Sequence, residues 1–544
     1  MFKIKKFFHD YLAIRKFINH NKKYFPFNKK GDGEILIEFN AFHPSHISLA
    51  YVSNVIKKNK ESQIKAYFNY SILSSDLNQT FLNKIKWSIG NFFSLRNFGI
   101  YKSFGVSNIF KPIINSEIEN EAEAIYKELY PRIKNKKDIL NITIDNVLLG
   151  DLIYDTYLKS KEKPTLNIND DSFKNLFLDI LKIFLYWKKY FIKNKVNAIL
   201  GVHSVYSYGI PLRVAIKYNV PTYVLNPRMI YKLDKKMMRM SGDFHNFPEE
   251  FKKIPKSMQI KGKDEAKKRL SKTLSGIPDI EVYLHLTEKN RSNNNHNRLI
   301  KESSKIKILV CTHDFFDAVH AYGDLVFCDF YEWLVYLGEL SKKTEYDWYI
   351  KNHPKEEEGR VLKYQLYTEN IINKFINKYE KFNLLPDKYP HQKIVEEGID
   401  FVLTGYGSVG VEYPLLNIPV INATVNNPHT RYKFNFHPQN INEYEKLLKN
   451  LDNLKLEINK DEIYEFYFMR HIFPDSNWLI EDLKELMNYV SGWDGLFTVK
   501  MYKYWMKIFN PTRHEEIIQN IESFLKSNDT RINIRHTKNF KKYI

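Results

Sequence analysis

Cysteine is almost absent. Cys311 and Cys328 are the only two in 544 residues, too few for a disulfide framework or a cysteine-rich metal site and in keeping with a reducing cytoplasm. No run reaches roughly 18 uncharged apolar residues, so no membrane-spanning helix is expected. The nearest case, Phe173 to Ile192, is interrupted by Lys174, Asp179, Lys182, Lys188 and Lys189 and reads as an amphipathic helix packed on a sheet. The stretch from Met1 to Leu12 is basic and aromatic but lacks the apolar core and small-residue cleavage site of a signal peptide. Repeats of fixed period and low-complexity tracts are missing. So are helix-turn-helix, RRM, KH and zinc-finger patterns, and nucleic acid is not expected as a partner.

What is present is apolar residues and positive charge. A hydrophobic content of 43% with 15% aromatics is enough to bury two cores, and 544 residues are too many for one. Lys and Arg number 83 against 63 Asp and Glu, a net charge of +20. Such a balance attracts polyanions such as acidic glycans, nucleotides or an anionic membrane surface. The expected location is the cytoplasm, with peripheral attachment at the inner face of its membrane; the basic aromatic N-terminus together with the net charge would also suit a non-catalytic membrane-surface factor.

Alternating strands and helices organise the chain. Residues 1–30 predict a basic helix. A first domain over 31–230 contains strands at Glu34 to Asn40, Gln63 to Phe68, Asn197 to His203 and Val220 to Asn226, with helices at Ser45 to Lys58 and Gly209 to Tyr218. Residues 70–135 look helical. A polar connection over 231–304 peaks at Ser292 to Asn297. A second domain over 305–460 has strands at Lys305 to Thr312, Asp347 to Lys351, Phe401 to Leu403 and Pro419 to Ile421. Residues 461–544 form a helical tail. The fold class is therefore α/β, with two Rossmann-like parallel-sheet domains facing a cleft.

Ligands in open α/β sheets bind beyond the carboxyl ends of strands, and the candidate chemistry falls there. After the strand Phe401 to Leu403 comes a turn bearing Thr404, Gly405, Tyr406, Gly407, Ser408 and Gly410, then a helix start with Glu412. Glycines admit backbone N–H groups to a ligand and a helix start suits a phosphate. Lys351-Asn-His353-Pro closes another strand, and His353 there can donate to a phosphate or protonate a leaving group. His313 and Asp314 sit on the loop after the first strand of this domain, without the spacing of a metal site. Asn427, His429 and Arg431 follow the next strand end and could pair with a phosphate or an acidic sugar. In the first domain Asp151 and His203 are the ranked candidates for a base beside an acceptor hydroxyl, with a helix cap as the bland alternative for Asp151. His46 ranks lower.

These motifs resemble a known group. Thr404 to Val420 (TGYGSVGVEYPLLNIPV), with Lys351-Asn-His-Pro354 upstream and Asn427-Pro-His429 downstream, is similar to bacterial capsular and surface-polysaccharide biosynthesis proteins. These include GT-B glycosyltransferases that use CMP-activated acidic sugars such as Kdo. Gly150 to Tyr157 (GDLIYDTY) and Asp329 to Leu334 (DFYEWL) also look like motifs of that group. The similarity covers roughly residues 34–440. It implies a GT-B architecture and an inverting, metal-independent transfer, with a nucleotide-sugar as co-substrate and no further cofactor. The acceptor would be a glycan or lipid-linked glycan held by the N-terminal domain. By this resemblance His353, Ser408 and Glu412 hold the nucleotide phosphate and donor sugar. No motif identifies one sugar. A nucleotide-sugar epimerase, a polyol-phosphate transferase and a non-catalytic membrane-surface assembly factor are the alternatives.

Overall fold

A computed structural model of the chain describes residues 2–25, 31–69, 81–277, 279, 297–353 and 360–542. The chain divides into two compact units. The first comprises Met1–Thr156, Asn167–Met240 and Pro474–Phe540, and the second Tyr157–Leu166, Ser241–Phe473 and Lys541–Ile544.

The first unit is built on a six-stranded sheet. In chain order its strands are β1 (Glu34–Phe39), β2 (Gln63–Phe68), β3 (Val106–Phe110), then β6 (Val196–Gly201), β7 (Thr222–Asn226) and β8 (Met229–Leu233). A small antiparallel hairpin, β4 (Thr143–Ile144) with β5 (Val147–Leu148), stands apart. The spatial order is β3-β2-β1-β6-β7-β8, parallel throughout except for β8. Ile35, Leu36 and Ile37 are all fully buried, the unbroken apolar run of a strand covered on both faces. The helix Asp171–Lys193, capped by Asp170 accepting from the Ser172 N–H, buries Phe177, Ile180, Phe184 and Trp187 along one stripe, each contributing about 2 kcal/mol of burial.

The second unit carries a five-stranded, wholly parallel sheet of β9 (Lys307–Cys311), β10 (Asp347–Lys351), β11 (Phe382–Leu385), β12 (Phe401–Thr404) and β13 (Val420–Asn422), in the order β11-β10-β9-β12-β13. Leu309, Tyr349, Val402, Tyr413 and Val420 share its core. The α/β class with two parallel sheets is thus the architecture of the chain.

Three strands escape the sequence reading. β3 lies inside the stretch expected to be helical, β8 opens the supposed connection, and β11 is four residues long. All three end a sheet in strand order, and at β3 and β11 half the ladder is absent and the apolar signal is weak. The connection also holds the 19-residue helix Lys256–Leu274. Most of its polar peak, residues 292–296, and Pro354 lie outside the described residues.

Residues 474–540 pack within the first unit. They pair with β8, the Lys232 N–H donating to the Thr530 carbonyl at 2.8 Å and the Ile532 N–H to that of Ile230 at 3.0 Å. The N-terminal helix Phe2–Tyr24 buries Phe17, whose ring stacks on Tyr502 at 4.4 Å. Among the described residues no helix is long and apolar enough to cross a membrane.

Each sheet reverses direction of growth beside its first strand, and in the first unit that switch point lies between β1 and β6. Glu38 sits there, buried, its Oε2 accepting from the Val202 N–H at 3.2 Å. Burial pushes its carboxyl up to about 7, against the opposing pull of that N–H and of Asn69. The folded state therefore holds this proton more tightly than the unfolded chain does. Stability falls as pH rises from about 4.5 to about 7 and is level above that range. Glu38→Gln is expected to gain on the order of 3 kcal/mol over the wild type at pH 8 and nothing at pH 4, as read from denaturant midpoints.

Candidate functional site

In the second unit the chain runs β9, β10, β11 to one side and β12, β13 to the other, so its switch point falls between β9 and β12. The loops after these two strands meet there. His313 Nε2 lies 3.2 Å from Thr404 Oγ1 and accepts the Tyr406 N–H at 3.2 Å. Because a backbone N–H can only donate, Nε2 is the unprotonated nitrogen and Nδ1 carries the hydrogen. Burial, reinforced by the nearby His353, lowers the His313 pKa to about 3. It is a neutral donor at physiological pH.

A cavity of about 350 Å³ opens over the ends of β9, β10, β11 and β12. Lys351, the last residue of β10, is 4% exposed and enters it from below. Its ammonium donates to the Asp387 carbonyl at 2.7 Å and lies 3.4 Å from His391 Nε2. On the other side of the ring, His391 Nδ1 is 2.8 Å from Glu412 Oε2. With Nδ1–H donating to the carboxylate, Nε2 faces the ammonium as acceptor. Glu412, His391 and Lys351 thus form one chain of anion, imidazole and cation along the cavity wall. Exposed His353, after β10, also lines the cavity, as does the end of the helix Lys256–Leu274 through Thr273 and Leu274.

The glycine turn works differently from its sequence reading. Gly405, Gly407 and Gly410 all have ordinary negative φ, since the positive-φ glycines are elsewhere. What they admit is rings. A Cβ at Gly405 would lie 2.7 Å from Phe330, one at Gly407 3.2 Å from His313, and one at Gly410 2.5 Å from His429. The helix that follows, Val409–Leu415, has seven residues and contains Pro414. The amides of Gly410 and Val411 already donate to the carbonyls of Gly407 and Ser408, both at 2.9 Å. Ser408 and Glu412 line the cavity together with Lys351, His313, His353 and His391.

The downstream motif separates. Asn427 is buried and structural, its amide donating to Thr424 Oγ1 at 3.0 Å while Thr424 donates to the Gly405 carbonyl at 3.0 Å. His429, whose pKa burial lowers to about 3, borders a second cavity of about 320 Å³ with Tyr322, Arg470 and His471. This cavity shares Tyr406, Gly407, Ser408 and Glu412 with the first. Arg431 points to Glu249 at 2.6 Å and lines neither. Asp314 accepts from the Phe316 N–H at 2.9 Å, shaping its own loop.

In the first unit Asp151 does not have the surroundings of a base. Arg213 grips it through two nitrogens, Nη2 at 2.6 Å from Oδ2, and Arg239 adds Nη2 at 2.8 Å. Burial alone would raise its pKa, yet the two guanidiniums hold the carboxyl well below its usual range. It serves as an anchor for the start of the helix Gly150–Lys161. His203 is exposed after β6, and His46 is buried between Tyr502 Oη at 2.8 Å and the Asn40 carbonyl at 3.0 Å.

His391 and Asp387 were missed in the sequence because β11 was missed. Once that strand is placed, the loop Asp387 to His391 is another carboxyl strand end. Among the described residues no three His, Cys, Asp or Glu side chains group as a metal site.

No family model and no curated protein matches the chain. Solved structures similar to it include KpsC, a beta Kdo 2,4 transferase from Thermosulfurimonas dismutans (12% identity, 50% of this chain and 79% of that one, TM-score 0.28). A glycosyltransferase from Rickettsia africae matches at 10% identity over 88% and 100%, with TM-score 0.25. UDP-GlcNAc 2-epimerase from Neisseria meningitidis bound to UDP-GlcNAc matches at 10% identity over 79% and 97%, with TM-score 0.22. At such scores none carries an argument about activity.

Two substitutions separate anchoring from chemistry. Asp151→Asn is expected to cost roughly 3 kcal/mol by leaving the buried Arg213 guanidinium and the half-buried one of Arg239 underpaired. Because its folded pKa is depressed, that stability is present above about 3.8, the ordinary value, and is lost as pH falls further. Gly410→Ala is expected to cost about 1–3 kcal/mol by driving a methyl into His429. Urea titration of each variant measures both losses.

Proposed function

We propose that the second unit binds a nucleotide-activated sugar in the cavity over Lys351, and that the chain is a glycosyltransferase acting in the synthesis of a surface polysaccharide. The observation that supports this most directly is the convergence of Lys351, His391, His313 and His353 on one cavity at a topological switch point. A buried ammonium and imidazole donors form a preorganised positive site where the charge of a departing nucleotide phosphate would develop. Glu412 orients His391, whose Nε2 faces the Lys351 ammonium as acceptor and so holds that cation at the cavity wall, where a phosphate would meet it. Neutral His313 contributes an N–H without adding charge. The volume of about 350 Å³ is that of a small-molecule site. The resemblance of the glycine turn and the His-Pro motif to capsule transferases points the same way.

The test is a thermal-shift panel of CMP-, UDP-, GDP- and CDP-sugars. A ligand at a hundred times its Kd stabilises the fold by about 2.7 kcal/mol. One class is expected to do so selectively, and Lys351→Met and His391→Ala are each expected to weaken its binding at least tenfold, in line with about 1.5–3 kcal/mol for a charged hydrogen bond. Glu412→Gln should lower turnover more than affinity. Stabilisation by none of the four classes would sink the proposal. Conversion of UDP-N-acetylglucosamine without any acceptor would instead assign an epimerase.

A further inference from the structure

The helix Phe81–Phe92 in the first unit has its two faces the wrong way round for a helix that only covers a sheet. Its inner face is accounted for by Trp87, whose ring meets Phe39, Phe68 and Phe98 with centroids 5.4, 5.4 and 4.9 Å away. Gly90 lets Phe98 approach so closely that a Cβ there would lie 2.8 Å from it. Asn91 donates to the Ile109 carbonyl of β3 at 3.1 Å. The outer face is apolar as well: Ile85, Ile89 and Phe92 follow one another at helical spacing, with Phe93 and Leu95 just beyond. Phe92 is 81% exposed and Phe93 64%.

The turn that presents these rings is built rather than loose. Ser94 and Arg96 both hold positive φ, 55° and 48°, a strained arrangement for residues with side chains. The Leu95 N–H closes back on the Gly90 carbonyl at 2.9 Å. Lys102 pins the same turn, donating to the Asn91 carbonyl and to Ser94 Oγ at 3.2 Å. Two phenylalanines are thus held out at the tip, 5.0 Å apart edge to face.

Charge identifies the occupant. Residues 77–116 contain Lys84, Lys86, Arg96, Lys102 and Lys111 and no Asp or Glu. Lys86 and Arg96 are exposed beside the apolar face. Large contiguous apolar surface marks an interaction site, and an apolar ridge whose own segment carries cations and no carboxylate fits an interface of acyl chains below anionic headgroups. We infer that this helix and turn dock the protein on an anionic lipid bilayer, with Phe92 and Phe93 inserted at the headgroup boundary and Lys86 and Arg96 on lipid phosphates.

The full chain is tested by co-sedimentation with vesicles of phosphatidylcholine alone and of phosphatidylcholine with an equal part of phosphatidylglycerol. Binding is expected to the mixed vesicles and to be much weaker to the neutral ones. Phe92→Ser with Phe93→Ser should lower the partition coefficient more than tenfold, with melting temperature and nucleotide binding unchanged because both rings are exposed. Lys86→Gln and Arg96→Gln should each weaken binding about fivefold, on the anionic vesicles only. Equal partition of the double serine variant and the wild type would overturn the inference. So would concentration-dependent dimerisation of the wild type that the serines abolish, since that would give the face to a second copy of the chain.

Discussion

A lysine buried at the end of a parallel strand retains its charge only if carbonyls, rings or carboxylates are arranged around it, and Lys351 imposes that arrangement on the second unit. The Asp387 carbonyl takes one of its hydrogens and the imidazole of His391 faces it at 3.4 Å, with Glu412 behind. These partners come from the ends of β11 and β12, on opposite sides of β10 and β9 in the sheet. The chain of anion, ring and cation therefore ties three strand ends to one another. Removing an interior member would leave a buried charge facing nothing, the costliest single defect a protein interior can hold. The same chain lies along an open cavity, so the group that stabilises it when empty is also the group an incoming anion would engage.

Ring packing beneath the glycine turn supports this arrangement. His313 stacks on Phe330 at 5.0 Å and leans on Tyr406 at 4.9 Å, and Gly405 and Gly407 leave the space that it fills. Held between rings, its Nε2 is committed to the Tyr406 amide, which settles the tautomer before any ligand arrives. Orientation is thus fixed by van der Waals contact, and hydrogen bonding only selects which nitrogen faces inward. Preorganisation of this kind leaves little reorganisation to occur at the moment of reaction.

The sheets were legible where strands are central. Glu34 to Phe39, Gln63 to Phe68 and Asp347 to Lys351 each hold a short apolar run (Ile35 to Ile37, Ala66 to Phe68, Trp348 to Ile350), as strands covered on both faces do, and their limits were readable to within a residue. The edges were not, since β3 and β11 pair on one side only and carry exposed positions. The strand-end rule located Lys351, His353, Ser408 and Glu412 at one cavity. It could not supply His391, which needed β11, nor could it see that Asp151 would meet arginines 62 and 88 residues away. Glycine in a turn carries two meanings, ligand approach and ring approach, and nothing in the local spacing of Gly405, Gly407 and Gly410 distinguishes them.

The two units satisfy the polar groups near their switch points in different ways. In the first unit Glu38 accepts from the Val202 amide, His46 is closed between a tyrosine and a carbonyl, and Asp151 is closed between guanidiniums. Each of these polar groups is buried and spends its hydrogen-bonding capacity on the fold. In the second unit the polar groups at the strand ends are joined to one another and still border a cavity large enough for a ligand. A buried charge satisfied by fixed partners can only be disturbed by a ligand, whereas one satisfied along a cavity wall can exchange part of its interaction for the ligand's charge. The second kind of site can respond to a phosphate without unfolding its surroundings, and this asymmetry is the physical ground for proposing the nucleotide site at the sheet that includes Lys351 and not at the other.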